Sequence, residues 1–304
     1  MPIHNKNKSI QRKLEDAFEA IAKLSGKPAV LLCDRGLCDN RAYLAKEDFD
    51  LLLDLEGVKL GDIRDKRYDA VFHLVTAAIG AEQFYTTANN SARTETVEEA
   101  RVLDYRVLDA WVGHPNLRVI DNSTTFDGKI KRVVDGICKA IGATPSYPER
   151  RFLLDPKSMD NIPSDLTVEK FNVEMMIFTE DNGSQTRVIR RTQKGNSTYL
   201  LTTSQVATDD GQRVIESRQI SGREYMNYIK NPNKRVVLKK ISYFLWNGKY
   251  YAINEYVEPD RFVALEVESP SEVDGSSLIP PFLTATEEIT NIGTLTSAGI
   301  VAKH

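Results

Sequence analysis

The sequence AVLLCDRG at residues 29–36 runs from an unbroken apolar stretch into an acid, an arginine and a glycine. Continuous apolar strands are typical of parallel sheets that are covered on both faces, and ligands of such sheets bind beyond the carboxyl ends of the strands. The stretch therefore predicts a buried strand over residues 29–33. It also predicts that Asp34 and Arg35 lie at a ligand-binding edge.

An acid at this place holds Mg²⁺ in P-loop nucleotide enzymes, together with a G-x-x-x-x-G-K-[ST] loop on another strand. The nearest fragment is Ser25-Gly26-Lys27, which lacks the earlier glycine and the hydroxyl residue of that motif. The sequence thus predicts half of a nucleotide site, with Asp34 as a candidate Mg²⁺ ligand.

Composition places the chain among ordinary globular proteins. It has 304 residues, of which 41% are hydrophobic and 27% are charged, enough for two domains with separate cores. The net charge of −3 argues against general affinity for nucleic acid. The three cysteines have no metal-ligand spacing, and no apolar run is suited to a signal peptide or a transmembrane segment. These features favour a cytoplasmic protein with reduced thiols.

The first half of the chain has the pattern of βα units. Apolar residues recur at helical spacing over residues 10–24 and 126–141, and the apolar runs at residues 70–75 and 117–120 predict strands. Strands that alternate with helices form parallel sheets. Residues 1–143 are therefore expected to form an α/β domain, a partial P-loop-type parallel sheet with flanking helices.

The second half has a different texture. Four prolines fall between residues 144 and 165, which predicts a linker there. Residues 166–304 contain short β-branched and aromatic runs separated by turn signals, which predicts an antiparallel β-barrel or sandwich. The predicted strands are residues 171–178, 186–191, 197–204, 213–220, 236–245, 250–257 and 262–268.

Arginines on the predicted helix after the second strand are candidates for phosphate contacts. Guanidinium groups bind phosphate oxygens in a bidentate manner, so Arg93 and Arg101 could close over a nucleotide as a lid. They are equally consistent with exposed helix charges that pair with nearby acids. Asp121 and Asn122 follow the third strand and complete the candidate nucleotide-binding set.

Three long stretches point to a family. LLCDRGLCDNRAYL, the run from VKLGDIRDKRYDAVFHLV to NLRVIDNS, and FDGKIKRVVDGICKAIG together resemble the nucleotide-binding domain of the TRPL-translocation-defect family. Proteins of that family join a kinase-like P-loop domain to a CYTH-like triphosphate-tunnel domain. The resemblance implies GTP or ATP binding, phosphoinositide binding and a role in membrane-protein trafficking. The family's Walker A loop precedes the matched stretch, so the resemblance implies a nucleotide domain that this chain contains in part.

The resemblance also implies a charged barrel interior. Tunnel enzymes carry Glu-x-Glu-x-Lys on the first barrel strand, and basic residues and carboxylates line the cavity. In this chain the first strand keeps Glu174 without the lysine. The expected phosphate-binding residues are Arg187, Arg191, Arg218, Lys239 and Lys240. In addition to Asp34 of the first domain, the expected metal ligands are Glu174, Glu266 and Glu268. Alternatively, these charges pair with one another, or a register that is off by one places them in solvent.

Three functional hypotheses remain open from the sequence. The first is a regulatory protein that binds nucleotides or phosphorylated small molecules, with Mg²⁺ as a cofactor and anionic phospholipid headgroups as further partners at a membrane periphery. The second is a phosphoryl-transfer enzyme, either a nucleoside kinase or a tripolyphosphatase. The third is a nonfunctional fragment. The incomplete Glu-x-Glu-x-Lys motif on the first barrel strand favours the regulatory binding protein.

Overall fold

The computed structural model describes residues 2–85, 95–143, 149–180, 183–206, 213–269 and 273–303. The first half of the chain forms an α/β unit around a small parallel sheet. Strands β1 (Val71–Leu74) and β2 (Leu117–Ile120) pair in parallel, with Val71 opposite Leu117. Its helices are α1 (Pro2–Leu24), α2 (Lys46–Leu55), α3 (Leu60–Arg64), α4 (Val97–Ala110) and α5 (Phe126–Ala140).

The predicted strand over residues 29–33 is wrong. These residues have no strand partner, and Val30, Leu31 and Leu32 are exposed. An apolar run becomes a strand only where another edge pairs with it. In the described part of the chain, the small sheet pairs β1 with β2 and does not include this segment.

The second half forms the expected antiparallel sheet, which has nine strands in the order β11-β3-β10-β9-β8-β4-β5-β6-β7. The sheet is open, because the described hydrogen bonds do not join its outer strands β11 and β7. The strands are β3 (Arg150–Leu154), β4 (Glu169–Thr179), β5 (Gln185–Gln193), β6 (Asn196–Val206), β7 (Arg213–Gln219), β8 (Arg235–Trp246), β9 (Lys249–Glu258), β10 (Phe262–Val267) and β11 (Ala285–Glu288). Helices α6 (Gly222–Ile229) and α7 (Ser297–Lys303) complete it.

All seven strands predicted after residue 166 are present, as β4 to β10. The predicted linker is different, because it contains β3, which pairs with both β10 and β11. The strand itself contains no proline, so none of the prolines that predicted the linker interrupts its hydrogen bonds.

Alternation along the strands divides the large sheet into two faces. We call inner the face that carries Val173, Lys239 and Asn254, and outer the face that carries Asn172 and Lys240. At one end of the inner face, the α/β unit packs on Phe171, Ile241, Tyr243 and Leu245 in a shared apolar core. At the other end, α7 contributes Ile300 and Val301 to a second core.

Polar contacts between the α/β unit and the sheet centre on Arg64, which is fully buried. Arg64 Nη1 donates to the Val112 carbonyl oxygen at 2.8 Å, Nη2 donates to Gln193 Oε1 on β5 at 2.9 Å, and Nε donates to Asp65 at 2.7 Å. Burial alone would lower the pKa of Arg64, but the bonded Asp65 carboxylate outweighs it and the pKa is raised. The junction is therefore a buried and specifically paired interface.

Candidate functional site

Basic side chains gather on the inner face of the large sheet. Arg191 on β5 and Lys239 on β8 flank Val173 of β4, since each is its direct cross-strand partner. Two strand spacings separate them, about 10 Å between Cα atoms. Both residues are buried, with exposed fractions of 5% and 8%.

Arg191 is held by the α/β unit and by two aromatic rings. Its Nη2 donates to the Gly113 carbonyl oxygen at 2.8 Å, and its guanidinium carbon lies 4.2 Å from the Phe171 ring centroid and 5.4 Å from that of Tyr243. The Nε and Nη1 atoms are buried without a hydrogen-bond partner. An unpaired buried donor costs about 1–3 kcal/mol, so the site is poised for an acceptor.

Lys239 extends the basic layer toward β9. Its Nζ lies 5.2 Å from the Tyr256 ring centroid, and among the described residues no carboxylate oxygen is within 4.0 Å of it. Tyr256 Oη also lies 3.2 Å from Ser297 Oγ of α7. The ammonium group is thus sequestered against an aromatic ring without an ion-pair partner in the described structure.

A third cation, Arg151 of β3, is partly neutralised. Its Nε donates to Glu266 Oε1 at 2.8 Å, and Nη2 lies 3.4 Å from Tyr256 Oη, whereas Nη1 is buried without a partner. Glu266 Oε2 also accepts a 2.8 Å bond from Asn254 Nδ2. The Glu266 carboxylate therefore positions both Arg151 and Asn254, and Nη1 of Arg151 remains available to an acceptor.

Carboxylates lie at the margin of this layer. Glu149 is an exposed residue, but its carboxyl is desolvated, and this burial together with the nearby charges of Glu266 and Glu268 raises its pKa to about 7. Lys239 and Arg118 act in the opposite direction. Glu268 is itself paired with Arg118 at 2.7 Å.

The structure brings together part of the predicted phosphate-binding set. Arg187, Arg191 and Lys239 share the inner face, and Arg187 Nη2 donates to Gln185 at 3.1 Å. Lys240 and Arg218 are on the outer face, because alternate residues of a strand point to opposite sides. Arg218 is paired there with Glu224 at 2.5 Å.

The predicted metal ligands do not form one centre. Glu174 lies on the outer face and pairs with Arg190 at 2.5 Å, Asp34 belongs to the α/β unit, Glu266 is on the inner face, and Glu268 follows the end of β10. Within the residues that the structure describes, no group of three or more His, Cys, Asp or Glu side chains is arranged to hold a metal ion. Glu174 is separated from Glu266 because a one-residue change of register moves a side chain across the sheet.

The predicted nucleotide-binding residues are divided between two places in the α/β unit. Asp34 and Arg35 are exposed near α1, where Gln11 Nε2 donates to the Arg35 carbonyl at 2.9 Å, and Arg35 has φ +75°. They are not at the carboxyl edge of the sheet, since the nearby Leu37 N–H donates at 2.9 Å to the hydroxyl of Tyr68, which precedes the amino end of β1. Arg93 lies outside the described residues.

Arg101, Asp121 and Asn122 lie at that carboxyl edge, where their side chains are bonded to other groups of the protein. Arg101 Nε donates to the Ala78 carbonyl at 2.6 Å, and Asn122 Nδ2 donates to the Ile79 carbonyl at 2.7 Å. Asp121 pairs with Arg132 at 2.7 Å. The contacts of Arg101 and Asn122 hold the loop after β1, a structural role that the sequence did not predict.

Sequence reasoning missed Arg151 and Glu149. Both fall in the predicted linker at residues 144–165, so no strand was expected there to carry them to the sheet. A usable signal was the run RRFLL at residues 150–154, whose apolar part is bounded by prolines on both sides without containing one.

The residues that were expected to contact lipid do not share one surface. The sequence suggests a lipid-contacting patch of Lys239, Lys240, Trp246, Lys249 and Tyr250, but Tyr250 is turned to the α/β unit and hydrogen-bonded there. Lys239 is buried on the inner face. Among the described residues, no helix is both long enough and apolar enough to cross a membrane.

Comparison with known proteins matches the first part of the chain to a family model. A family model described as an AAA domain matches residues 2–129, so the α/β unit is similar to that domain. No curated protein matches the sequence.

Solved structures match part of this chain. The inorganic triphosphatase NE1496 is 18% identical over 52% of this chain and 95% of that chain, with a TM-score of 0.35. Another structure of NE1496, described as a hypothetical protein, is 19% identical over 51% of this chain and 97% of that chain, also with a TM-score of 0.35. PH1819 from Pyrococcus horikoshii OT3 is 10% identical over 41% and 79%, with a TM-score of 0.31.

Proposed function

We propose that the inner face of the large sheet binds a phosphate-bearing anion. The observation that carries the proposal is the set of buried guanidinium nitrogens without partners, Nε and Nη1 of Arg191 and Nη1 of Arg151, on the face that also holds Lys239. Buried cations are normally paired or bound to an anion. A multidentate oxyanion would supply the missing acceptors.

A phosphate group suits this layer better than a carboxylate does. The cations come from three different strands of the inner face instead of forming one fork, which suits an anion with several oxygens spread in three dimensions. Glu266 and Glu149 keep part of the layer neutral, so the site would favour a ligand of a defined size over nonspecific polyanions.

The test is calorimetric titration of the full chain with tripolyphosphate, with and without Mg²⁺. Lys239→Gln and Arg191→Gln should each weaken binding about tenfold, since a hydrogen bond to a charged group contributes about 1.5 kcal/mol. Arg190→Gln is the matched control, because Arg190 is adjacent to Arg191 but lies on the outer face with Glu174. Unchanged affinity in both inner-face variants, with the fold intact by circular dichroism, would contradict the proposal.

Narrower assignments extend this proposal and rest on the family resemblance. They are GTP or ATP as the ligand of the α/β unit with Mg²⁺, phosphoinositide binding, and a role in membrane-protein trafficking. Competition of GTP and ATP with tripolyphosphate tests the first, and release of inorganic phosphate from tripolyphosphate and ATP separates binding from phosphoryl transfer.

A further inference from the structure

A second basic recess lies on the outer face of the large sheet, on the opposite side from the inner-face layer. It has a volume of about 310 Å³ and spans β5, β4, β8 and β9. Its polar lining includes Lys170, Asn172, Thr192, Lys194, Lys240 and Glu255. An adjoining recess of about 260 Å³ shares Asn172, Thr192 and Lys240 with it. The inner-face proposal uses none of these side chains.

The charge of this recess is strongly positive. Lys170, Lys194 and Lys240 are exposed, and among the described residues no carboxylate oxygen lies within 4.0 Å of their ammonium nitrogens. Glu255 is the one acid in the lining, so the formal charge is three positive and one negative, or +2. This excess occurs on a chain with a net charge of −3. Local cation density of this kind concentrates anions.

Strand register explains why the three lysines converge. Asn172 is directly opposite Lys240 on one side and Thr192 on the other, and Lys170 is opposite Ser242, one diagonal step from Lys240. Diagonal neighbours on one face are about 7–8 Å apart, within reach of long side chains. Lys194 begins the turn to β6, with φ +47° followed by Gly195 at φ +78°, and borders the same recess.

The lining indicates the class of ligand. Asn172 supplies amide donors and Thr192 a hydroxyl, while the Phe171 ring is turned to the inner face, where it packs edge to face with Tyr243. No aromatic face of the lining is therefore turned to the recess to stack on a nucleobase. The adjoining Arg190 is already paired with Glu174 and adds no net charge.

We propose that this outer recess is a second anion site that binds a compact diphosphate group through Lys170, Lys194 and Lys240. It is distinct from the inner-face site, and neither depends on the other. Lys239 and Lys240 are consecutive on β8 and point to opposite faces, so one strand serves both sites with adjacent residues.

The adjacency of these lysines gives a matched experiment. Inorganic pyrophosphate is titrated into the full chain by calorimetry, with amide shifts of residues 170, 172 and 192 followed by NMR. The affinity for pyrophosphate is read from the shifts of these amides. The double variant Lys170→Gln/Lys240→Gln should lower this affinity about 30-fold, and each single variant should lower it about fivefold. Lys239→Gln should leave these amide shifts unchanged. If instead the double variant binds pyrophosphate with wild-type affinity at these amides, or if wild type shows no shift there, the outer site does not exist.

The ligand's phosphates could belong to a free molecule or to a lipid headgroup, and a parallel assay separates these sources. Sedimentation with phosphatidic acid vesicles is compared between wild type and the double variant. We expect pyrophosphate binding without vesicle sedimentation, because the lysines line a recess. The proposal would be overturned if wild type and the double variant sedimented with the vesicles equally and also bound pyrophosphate with the same affinity. Loss of tripolyphosphate binding in Lys239→Gln alone concerns only the inner face.

Discussion

Arg191 Nη2 donates a 2.8 Å hydrogen bond to the Gly113 carbonyl oxygen, so one guanidinium group belongs both to the candidate anion site and to the junction with the α/β unit. Arg64 approaches Gly113 from another side and bonds to the neighbouring Val112 carbonyl. The conformation of residues 111–114 therefore sets the position of Arg191. A ligand on the inner face and the docking of the α/β unit are expected to influence each other.

The first prediction is that Gly113→Ala loosens this junction. Gly113 has φ +98°, and a Cβ atom there would lie 2.7 Å from Arg64 Nη1 and 2.9 Å from Arg64 Cζ. Arg64 is fully buried and cannot move aside. We expect a loss of about 3 kcal/mol in the free energy of unfolding, measured by urea denaturation, from backbone strain and displacement of a buried charge.

Gly57→Ala is the control for backbone strain alone. Gly57 has φ +63°, and nothing lies within 4 Å of the position that an alanine Cβ atom would occupy, so this change should cost only about 1–2 kcal/mol. Equal losses in the two variants would show that the contact with Arg64 does not matter.

The second prediction concerns the Tyr250 hydroxyl, which bridges two backbone groups of the α/β unit. It accepts from the Gly113 N–H at 2.9 Å and donates to the His114 carbonyl at 3.0 Å. Tyr250→Phe leaves both groups without this partner and should lower the unfolding free energy by about 2 kcal/mol. Tyr43→Phe, at an exposed position, should change it by less than about 0.5 kcal/mol. A stability of Tyr250→Phe equal to that of wild type would refute the bridging role.

Local patterns predicted most of the secondary structure, whereas the position of the site depended on pairings that sequence periodicity does not encode. Strands β4 to β10 and the helix after β2 were predictable because their apolar periods are regular. Residues 29–33 also form a clear apolar run, but no neighbouring strand edge pairs with them. Grouping Lys240 with Lys239 failed because consecutive strand residues point to opposite faces.

The third prediction is a pH dependence of stability that arises from His114, which is fully buried. Its Nε2 donates to the Tyr68 carbonyl at 2.9 Å, and Nδ1 accepts from the Asn116 N–H at 3.0 Å. Burial lowers its pKa from 6.5 to about 4. The unfolded chain therefore binds a proton between these values while the folded chain does not, so stability is fully present above pH 6.5 and is lost as pH falls toward 4.

The size of this loss is about 3 kcal/mol, from a shift of about 2.5 pKa units. His114→Gln should abolish this part of the slope when urea midpoints are compared from pH 7 to pH 4. Glu149, whose pKa is raised, contributes a slope of the opposite sign that is common to both proteins and cancels in the comparison. A variant with the same pH slope as wild type would rule out His114 as the source.

The last prediction links protonation to anion binding at the inner face. The raised pKa of Glu149, about 7, means that this carboxyl is ionised at pH 8 and largely neutral at pH 6, beside the layer that contains Lys239. An ionised carboxylate repels a bound anion, and one unit charge at about 6 Å in water contributes about 0.7 kcal/mol, or about threefold in affinity. Tripolyphosphate should therefore bind Glu149→Gln about threefold more tightly than wild type at pH 8, and the two proteins should converge at pH 6. Tripolyphosphate itself titrates, so only the ratio of the two affinities at each pH is informative. A ratio that stays constant from pH 8 to pH 6 would show that Glu149 does not face the ligand.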